Sequence, residues 1–455
     1  MTIHSDWARL LRDECPEAFY AQPPDDVAFD VGVIDGHLQL MCLHAGFGTW
    51  EVFLHALFVR PIERMFAAGC KTAVLCFDAY EHVPAYKAMT QLKRVQAHGS
   101  TAAFDAHQAL PLDIPADAMG FLLNRNFKLR VVEYVCALLP LRVKLEAHQR
   151  LLIDYRRVIE YTPALSAGAP VPDLVSMGES DVKFVRYVER HGNALVHAVD
   201  GDYMAIALLY YATCGGLRGD NRIFLFRQGS AMAKEEEEGG GGRKRKKACG
   251  NAAALSEEEE KKTPTRHAKK CWVDMQLLYI TIAQHVRLAG ARQLPCENDG
   301  AAVYACVSLM LCAGTDFSRG LPLLGPKRMW EHLPLVADAL LEGAHATTGL
   351  DVQLLALEVV EALYGAVFSR HVTSRCGGGA LAQLRATSRL AASTVARLPS
   401  DAQIHTTLRN VAWVMRYWRA YNSVVPAPLD GSNGFVRCPV TGRPVFADCT
   451  PRACD

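Results

Sequence analysis

Three apolar, β-branched segments each run into an acid: Val27 to Ile34 before Asp35, Thr72 to Phe77 before Asp78, and Ala194 to Val199 before Asp200. A fourth segment, Arg157 to Tyr161, has the same strand-like composition. Stretches long enough for helices separate them, and this alternation predicts an α/β fold with a largely parallel sheet flanked by helices. Ligands of such sheets gather beyond the carboxyl ends of the strands, where these three aspartates fall.

The 455 residues, 50% of them hydrophobic, allow one large α/β domain and an extension. A membrane helix needs roughly 20 uninterrupted apolar residues. Even Leu350 to Val367 is broken by Asp351, Glu358 and Glu361, so no membrane span is expected. The start, Met1 to Trp7, lacks the basic and apolar regions of a signal peptide, which predicts an intracellular protein, nuclear or cytoplasmic. Cys76, Cys136, Cys306 and Cys312 lie inside apolar runs, where a thiol acts as a small buried hydrophobe, so the 15 cysteines are expected to be mostly reduced. A net charge of +1 gives no global sign of a nucleic-acid partner; any basic surface must be local.

The chain divides into a core over 1–230, a low-complexity insertion over 231–270, a return to the core over 271–330, a helical region over 331–425 and a loop-like tail over 426–455. Runs of glutamate, glycine and lysine between Lys234 and Lys270 cannot supply a packed core, which predicts disorder there. Its basic block, Arg243 to Lys247, reads as a nuclear-import signal, a nucleic-acid contact or, as is usual for charge runs, a solvated segment. Apolar spacing predicts helices over Val182 to Glu189, Trp272 to Arg287, Ala301 to Ala313, Met329 to Leu341, Leu350 to Phe368, Gly379 to Arg397 and Thr406 to Tyr421. In the tail, Cys438, Cys449 and Cys454 are too unevenly spaced for a zinc site.

Two acid pairs stand out. Asp200-Gly201-Asp202 follows a strand, and in extended chain residues two apart face the same side, so both carboxylates can meet one ion. Glu179-Ser180-Asp181 has the same spacing at a helix start, where acids also serve as ordinary caps. An aspartate at a strand end is likewise often a turn former bonded to nearby amides. Clustered carboxylates select hard ions such as magnesium or manganese, and acids around two such ions suit in-line attack on phosphodiesters.

Four segments, in order, resemble the flap endonuclease and XPG family of structure-specific 5′ nucleases: Thr72 to Arg94, Met177 to Phe184, Val199 to Tyr203 and Leu311 to Arg328. The resemblance spans about Val27 to Trp330. It implies a PIN-like sheet with a two-turn helical hairpin and magnesium-dependent, two-metal hydrolysis of branched, flapped or nicked DNA. One ion would be held by Asp35, Asp78, Glu179 and Asp181, the other by Asp200, Asp202 and Asp316, with Mn2+ able to replace Mg2+. Lys87 and either Lys93 or Arg94 fall near the family's basic residues at the scissile phosphate; Lys87 and Arg94 are assigned to catalysis and Lys93 to nucleic-acid contact. Gly325, Lys327 and Arg328 would meet a phosphate at a helix start. Leu323 stands where the hairpin's first glycine is expected, and Thr2 replaces the usual N-terminal glycine.

The family's helical arch corresponds to about 95–155. There Arg125, Lys128 and Arg130, interleaved with Phe121, Phe127 and Tyr134, read equally well as a grip on a single strand or as a basic helix packed by its aromatic residues. The tail holds no glutamine-started sliding-clamp peptide. Met177 to Glu189 and Gly314 to Phe317 also resemble 5′–3′ exoribonucleases, which would take RNA instead. The third reading is a non-catalytic PIN-like scaffold that binds nucleic acid or protein.

Overall fold

A computed structural model describes residues 4–24, 26–78, 102–174, 176, 178–198, 200–213, 221–228, 270–289, 299–314, 320–344, 357–369, 379–386, 390–419, 435–437 and 444–446. Lys87, Lys93, Arg94, Asp316, Thr2, the insertion up to residue 269 and the three tail cysteines lie outside the described residues.

The strands are β1 (Phe19–Tyr20), β2 (Val31–Asp35), β3 (Thr72–Cys76), β4 (Arg150–Tyr155), β5 (Arg157–Thr162), β6 (Leu165–Pro170), β7 (Ala194–His197), β8 (Ile223–Gln228) and β9 (Lys270–Asp274). They form one sheet in the order β1-β9-β8-β7-β2-β3-β4-β5-β6. The central pairs, β8 with β7, β7 with β2, β2 with β3 and β3 with β4, are parallel. Both flanks are antiparallel, so the sheet is mixed, with the expected parallel strands at its centre. Arg157–Thr162, expected as a further strand, belongs to such a flank: it turns back from β4 through Arg156, whose φ of 56° makes the tight reversal.

The central strands read as continuous apolar runs because both their faces are covered. Val31, Val33, Val74, Val196, Ile223 and Leu225 enter one hydrophobic cluster, while Ile34, Leu75, Leu195 and Phe224 enter the other. This is the period-two alternation of a strand expressed as two cores.

The helices that matter for the site are α1 (His4–Glu14), α2 (Gly36–Leu40), α3 (Arg60–Ala67), α4 (Arg125–Arg142), α5 (Ser180–His191) and α6 (Asp202–Thr213). Beyond the insertion come α7 (Met275–Ala289), α8 (Asp299–Cys312), α9 (Pro326–Glu331), α10 (Leu333–Ala344), α11 (Leu357–Val367), α12 (Ala380–Ala386), α13 (Ala392–Val395) and α14 (Asp401–Arg419). Residues 270–274, predicted within or beside a helix, are strand β9, and Asp274 caps α7 by accepting from the amides of Gln276 and Leu277 at 3.0 and 3.1 Å. α6 and α8 are apolar nearly all round and pack on one another, as buried helices should. The tail is not wholly loop: β10 (Phe435–Arg437) pairs antiparallel with β11 (Pro444–Phe446).

Among the described residues no helix is long and apolar enough to cross a membrane. The described cysteines are free thiols. Burial pushes Cys136 and Cys312 up to about 12, which makes them inert packing groups.

Candidate functional site

The sheet order places β7, β2 and β3 side by side and pointing the same way. Their carboxyl ends therefore bring Asp35, Asp78 and the loop bearing Asp200 and Asp202 to one edge. Asp35 closes β2 and begins α2, accepting the Leu38 amide at 3.1 Å through Oδ1. The helix-cap role is thus real for Asp35. It is not the whole role, because the same oxygen accepts the Ser180 hydroxyl at 3.0 Å.

Asp78 follows β3 and is buried. Its amide donates to His37 Nδ1 at 3.0 Å, which makes that nitrogen the acceptor and leaves the imidazole proton on Nε2. Asp78 Oδ1 accepts the Ser180 amide at 2.9 Å. Ser180 is the first residue of α5, so the start of this helix is seated between two strand-end aspartates. Glu179, 1% exposed, occupies the cap position of α5, yet its side chain makes no capping hydrogen bond. Asp181 is buried in the first turn. Gly178 enters the helix at φ 65°, and the Tyr417 hydroxyl of α14 lies 3.4 Å from where a Cβ would sit.

Burial first, and then the neighbouring Asp78 charge, raise the Asp35 carboxyl above its usual value, against hydrogen bonds from Leu38, Ser180 and Tyr203. The Tyr203 phenol is fully buried and pushed far up, chiefly by burial, then by the charges of Asp35 and Asp181. Asp35, Asp78, Asp181, Ser180 and Tyr203 therefore share one buried environment.

The second acid pair differs from its sequence reading. Asp200-Gly201-Asp202 is not extended: Asp200 is exposed at a bend, and Asp202 is the first residue of α6, its amide 3.4 Å from Asp200 Oδ1. A chain that must turn from β7 into a helix cannot hold both carboxylates in strand alternation. Among the described residues no three His, Cys, Asp or Glu side chains converge as a ready ion cage. The donor chemistry nevertheless fits a hard divalent cation, because a wholly buried carboxylate beside a second one calls for a compensating positive charge.

Beneath this site lies a cluster that the sequence reading missed. Asp154, fully buried on β4, binds Lys183 Nζ at 2.9 Å and the Ser176 hydroxyl at 2.6 Å through Oδ1. Its Oδ2 accepts from the Tyr187 hydroxyl at 2.9 Å and from Arg186. Burial alone would raise the Asp154 carboxyl; Lys183 and Arg186 reverse this and hold it below the usual range. Lys183 also donates to the carbonyl of Phe77 at 2.6 Å, the residue before Asp78. The available signal was the spacing of Lys183 and Arg186, basic residues three apart on an otherwise apolar stretch of helix.

The predicted nucleic-acid contacts are less uniform. Arg130 is committed to the Ala106 carbonyl at 2.7 Å and to Glu133 at 3.0 Å. Phe127 is fully buried among Trp50, Phe104 and Phe121, and Tyr134 lies against Trp50, so these rings pack the helix. Arg125 and Lys128 occupy its first turns.

Gly325 caps α9 in an extended conformation, but that helix has only six residues and too little dipole to hold a phosphate by itself. Arg328 donates to the Leu323 carbonyl at 3.0 Å and lies over the Phe368 ring. Lys327 and Arg328 line a groove of about 620 Å³ against α1, which Asp6, Asp13 and Glu331 also line, so its charge is mixed. Leu323 itself adopts φ 67°, the left-handed backbone that favours glycine. No protein-family model and no curated protein matches the chain.

Proposed function

We propose that the chain is a divalent-metal-dependent nuclease that hydrolyses phosphodiester bonds in branched, flapped or nicked DNA. The observation that carries this reading is the meeting of Asp35 and Asp78 on Ser180, at the carboxyl ends of adjacent parallel strands. Asp35, Asp78, Glu179 and Asp181 would hold one Mg2+, and Asp200, Asp202 and Asp316 a second, with Mn2+ an alternative. A PIN-like fold with a DNA-binding helical hairpin belongs to the same proposal.

Bound there, the ions would supply Lewis-acid stabilisation of charge on the phosphodiester and activation of water. The protein's own part is to keep the acids dry and oriented. α5 does this with Ser180 against the two aspartates and Lys183 against the Phe77 carbonyl. Lys87 and Arg94 would stabilise negative charge on the phosphate, and Lys93, Lys327 and Arg328 would add phosphate contacts.

The test is a cleavage assay on a 5′-flap, a nicked duplex and a 5′-monophosphorylated RNA, with Mg2+ and with chelator. Mg2+-dependent cleavage of the flap that falls at least a hundredfold in Asp35→Ala and Asp200→Ala is the expected result. Processive RNA degradation instead would move the substrate to the exoribonuclease class. Cleavage that survives both substitutions would refute the metal assignment.

A further inference from the structure

Ser180 is the residue on which the two strand-end aspartates meet. Its amide donates to Asp78 Oδ1 at 2.9 Å and its hydroxyl to Asp35 Oδ1 at 3.0 Å. Asp35 and Asp78 stand at the ends of neighbouring parallel strands, and Ser180 is only 4% exposed, so the link is built into the protein and shielded from water. On each aspartate the serine engages the same oxygen, Oδ1. Each bond restrains the carboxylate that accepts it.

The rest of α5 keeps the serine in place. One turn on, Lys183 grips the carbonyl of Phe77 at 2.6 Å and Asp154 at 2.9 Å, so the helix holds β3 just before Asp78 as well as at Asp78 itself. Residues three apart share a helix face, which is why a single helix makes both attachments. The fully buried Tyr203 lies near Asp35 and Asp181.

Two like-charged carboxylates without such a link would relax apart, and an incoming cation would have to draw them together. We infer that Ser180 is a positioning residue that crosslinks Asp35 and Asp78 into a preformed ligand pair for a divalent cation. The inference rests on the metal-site reading above. Groups that orient metal ligands are commonly worth 10- to 100-fold in affinity. Ser180→Ala deletes the Asp35 link and keeps the amide bond to Asp78, so a loss of about tenfold is expected.

The experiment titrates Mn2+ into the full-length protein and follows free Mn2+ by electron paramagnetic resonance, with circular dichroism melts confirming the fold of each variant. Wild type should bind Mn2+, and Ser180→Ala should bind about tenfold more weakly at unchanged stoichiometry. Ser180→Thr and Ser180→Val form a shape-matched pair that differ only in the hydroxyl, so threonine should bind more tightly than valine even where alanine fails to fold. Equal affinity of wild type and Ser180→Ala, or of the threonine and valine variants, would overturn the positioning role and leave the metal site standing. A wild-type protein that binds no Mn2+ at millimolar concentration would overturn the metal-site reading itself.

Discussion

Lys183→Met tests how the site is supported from below. The lysine is 2% exposed and its ammonium contacts Asp154 Oδ1 at 2.9 Å, Ser176 Oγ at 3.1 Å and the Phe77 carbonyl at 2.6 Å. Methionine has similar length and volume, so the substitution removes charge and hydrogen bonds with little change in packing. Removing one partner of a buried ion pair costs about 3–5 kcal/mol. Asp154 would keep Arg186, Tyr187 and Ser176, which puts the expected loss at the lower end, about 3 kcal/mol.

Urea unfolding at neutral pH measures that loss. A double-mutant cycle with Asp154→Asn should return a coupling of more than about 1 kcal/mol, because the two groups are in direct contact. The pH dependence has a defined sign. A carboxyl held below its usual 3.8 contributes stability that is fully present above that value and is lost as pH falls through the lowered one. Lys183→Met weakens the depression, so its acid unfolding should begin at a higher pH than that of wild type. A loss under about 0.5 kcal/mol, or a coupling near zero, would refute the argument that Lys183 supports the site through its ion pair with Asp154.

Two further predictions concern other parts of the site. At Leu323 the left-handed backbone reverses the usual order of substitutions: Leu323→Gly and Leu323→Ala both lose the packed side chain, but alanine keeps about 1–2 kcal/mol of backbone strain that glycine relieves. Thermal melts should rank glycine above alanine; the opposite rank would show that the strain is absent. At Asp35 the carboxyl is raised in the folded state, so the metal-free protein should lose stability as pH rises from 3.8 through the raised value. Asp35→Asn keeps the acceptor for Leu38 and Ser180, removes that pH dependence, and should be more stable than wild type at neutral pH while abolishing stabilisation by added Mn2+. A melt showing metal-free Asp35→Asn to be less stable than wild type, with its Mn2+ response intact, would contradict this.

Strands β2, β3 and β7 were legible because a sheet covered on both faces leaves continuous apolar runs, though β4 and β8 were not read, and α7, α8 and α14 were legible from their spacing. Of the antiparallel flanks only β5 was. β6 is largely exposed, and its Leu165–Pro170 run is rich in alanine and glycine with no alternation to read. β9 merges into α7 with no punctuation except Asp274, which is at once the end of the strand and the cap of the helix. The acid pair at Asp200 and Asp202 was found, but its conformation was misjudged, because spacing says nothing about where a strand hands over to a helix.

A strand-end acid is in fact a weak signal here, since the same sheet uses it in three ways. Asp274 ends β9, caps α7 and pairs with Arg222. Asp154 lies on β4 and is neutralised by Lys183 and Arg186. Asp35 and Asp78 meet Ser180 and each other's charge, with burial raising Asp35 where cations lower Asp154. The difference lies in which helix covers each strand end and which residue that helix presents. α5 presents Ser180 to one pair of strand ends and, one turn later, Lys183 to the next. Three residues of register on a single helix thus separate a carboxylate paired with two cations from two that are bridged by a serine, and only the folded arrangement reveals that division.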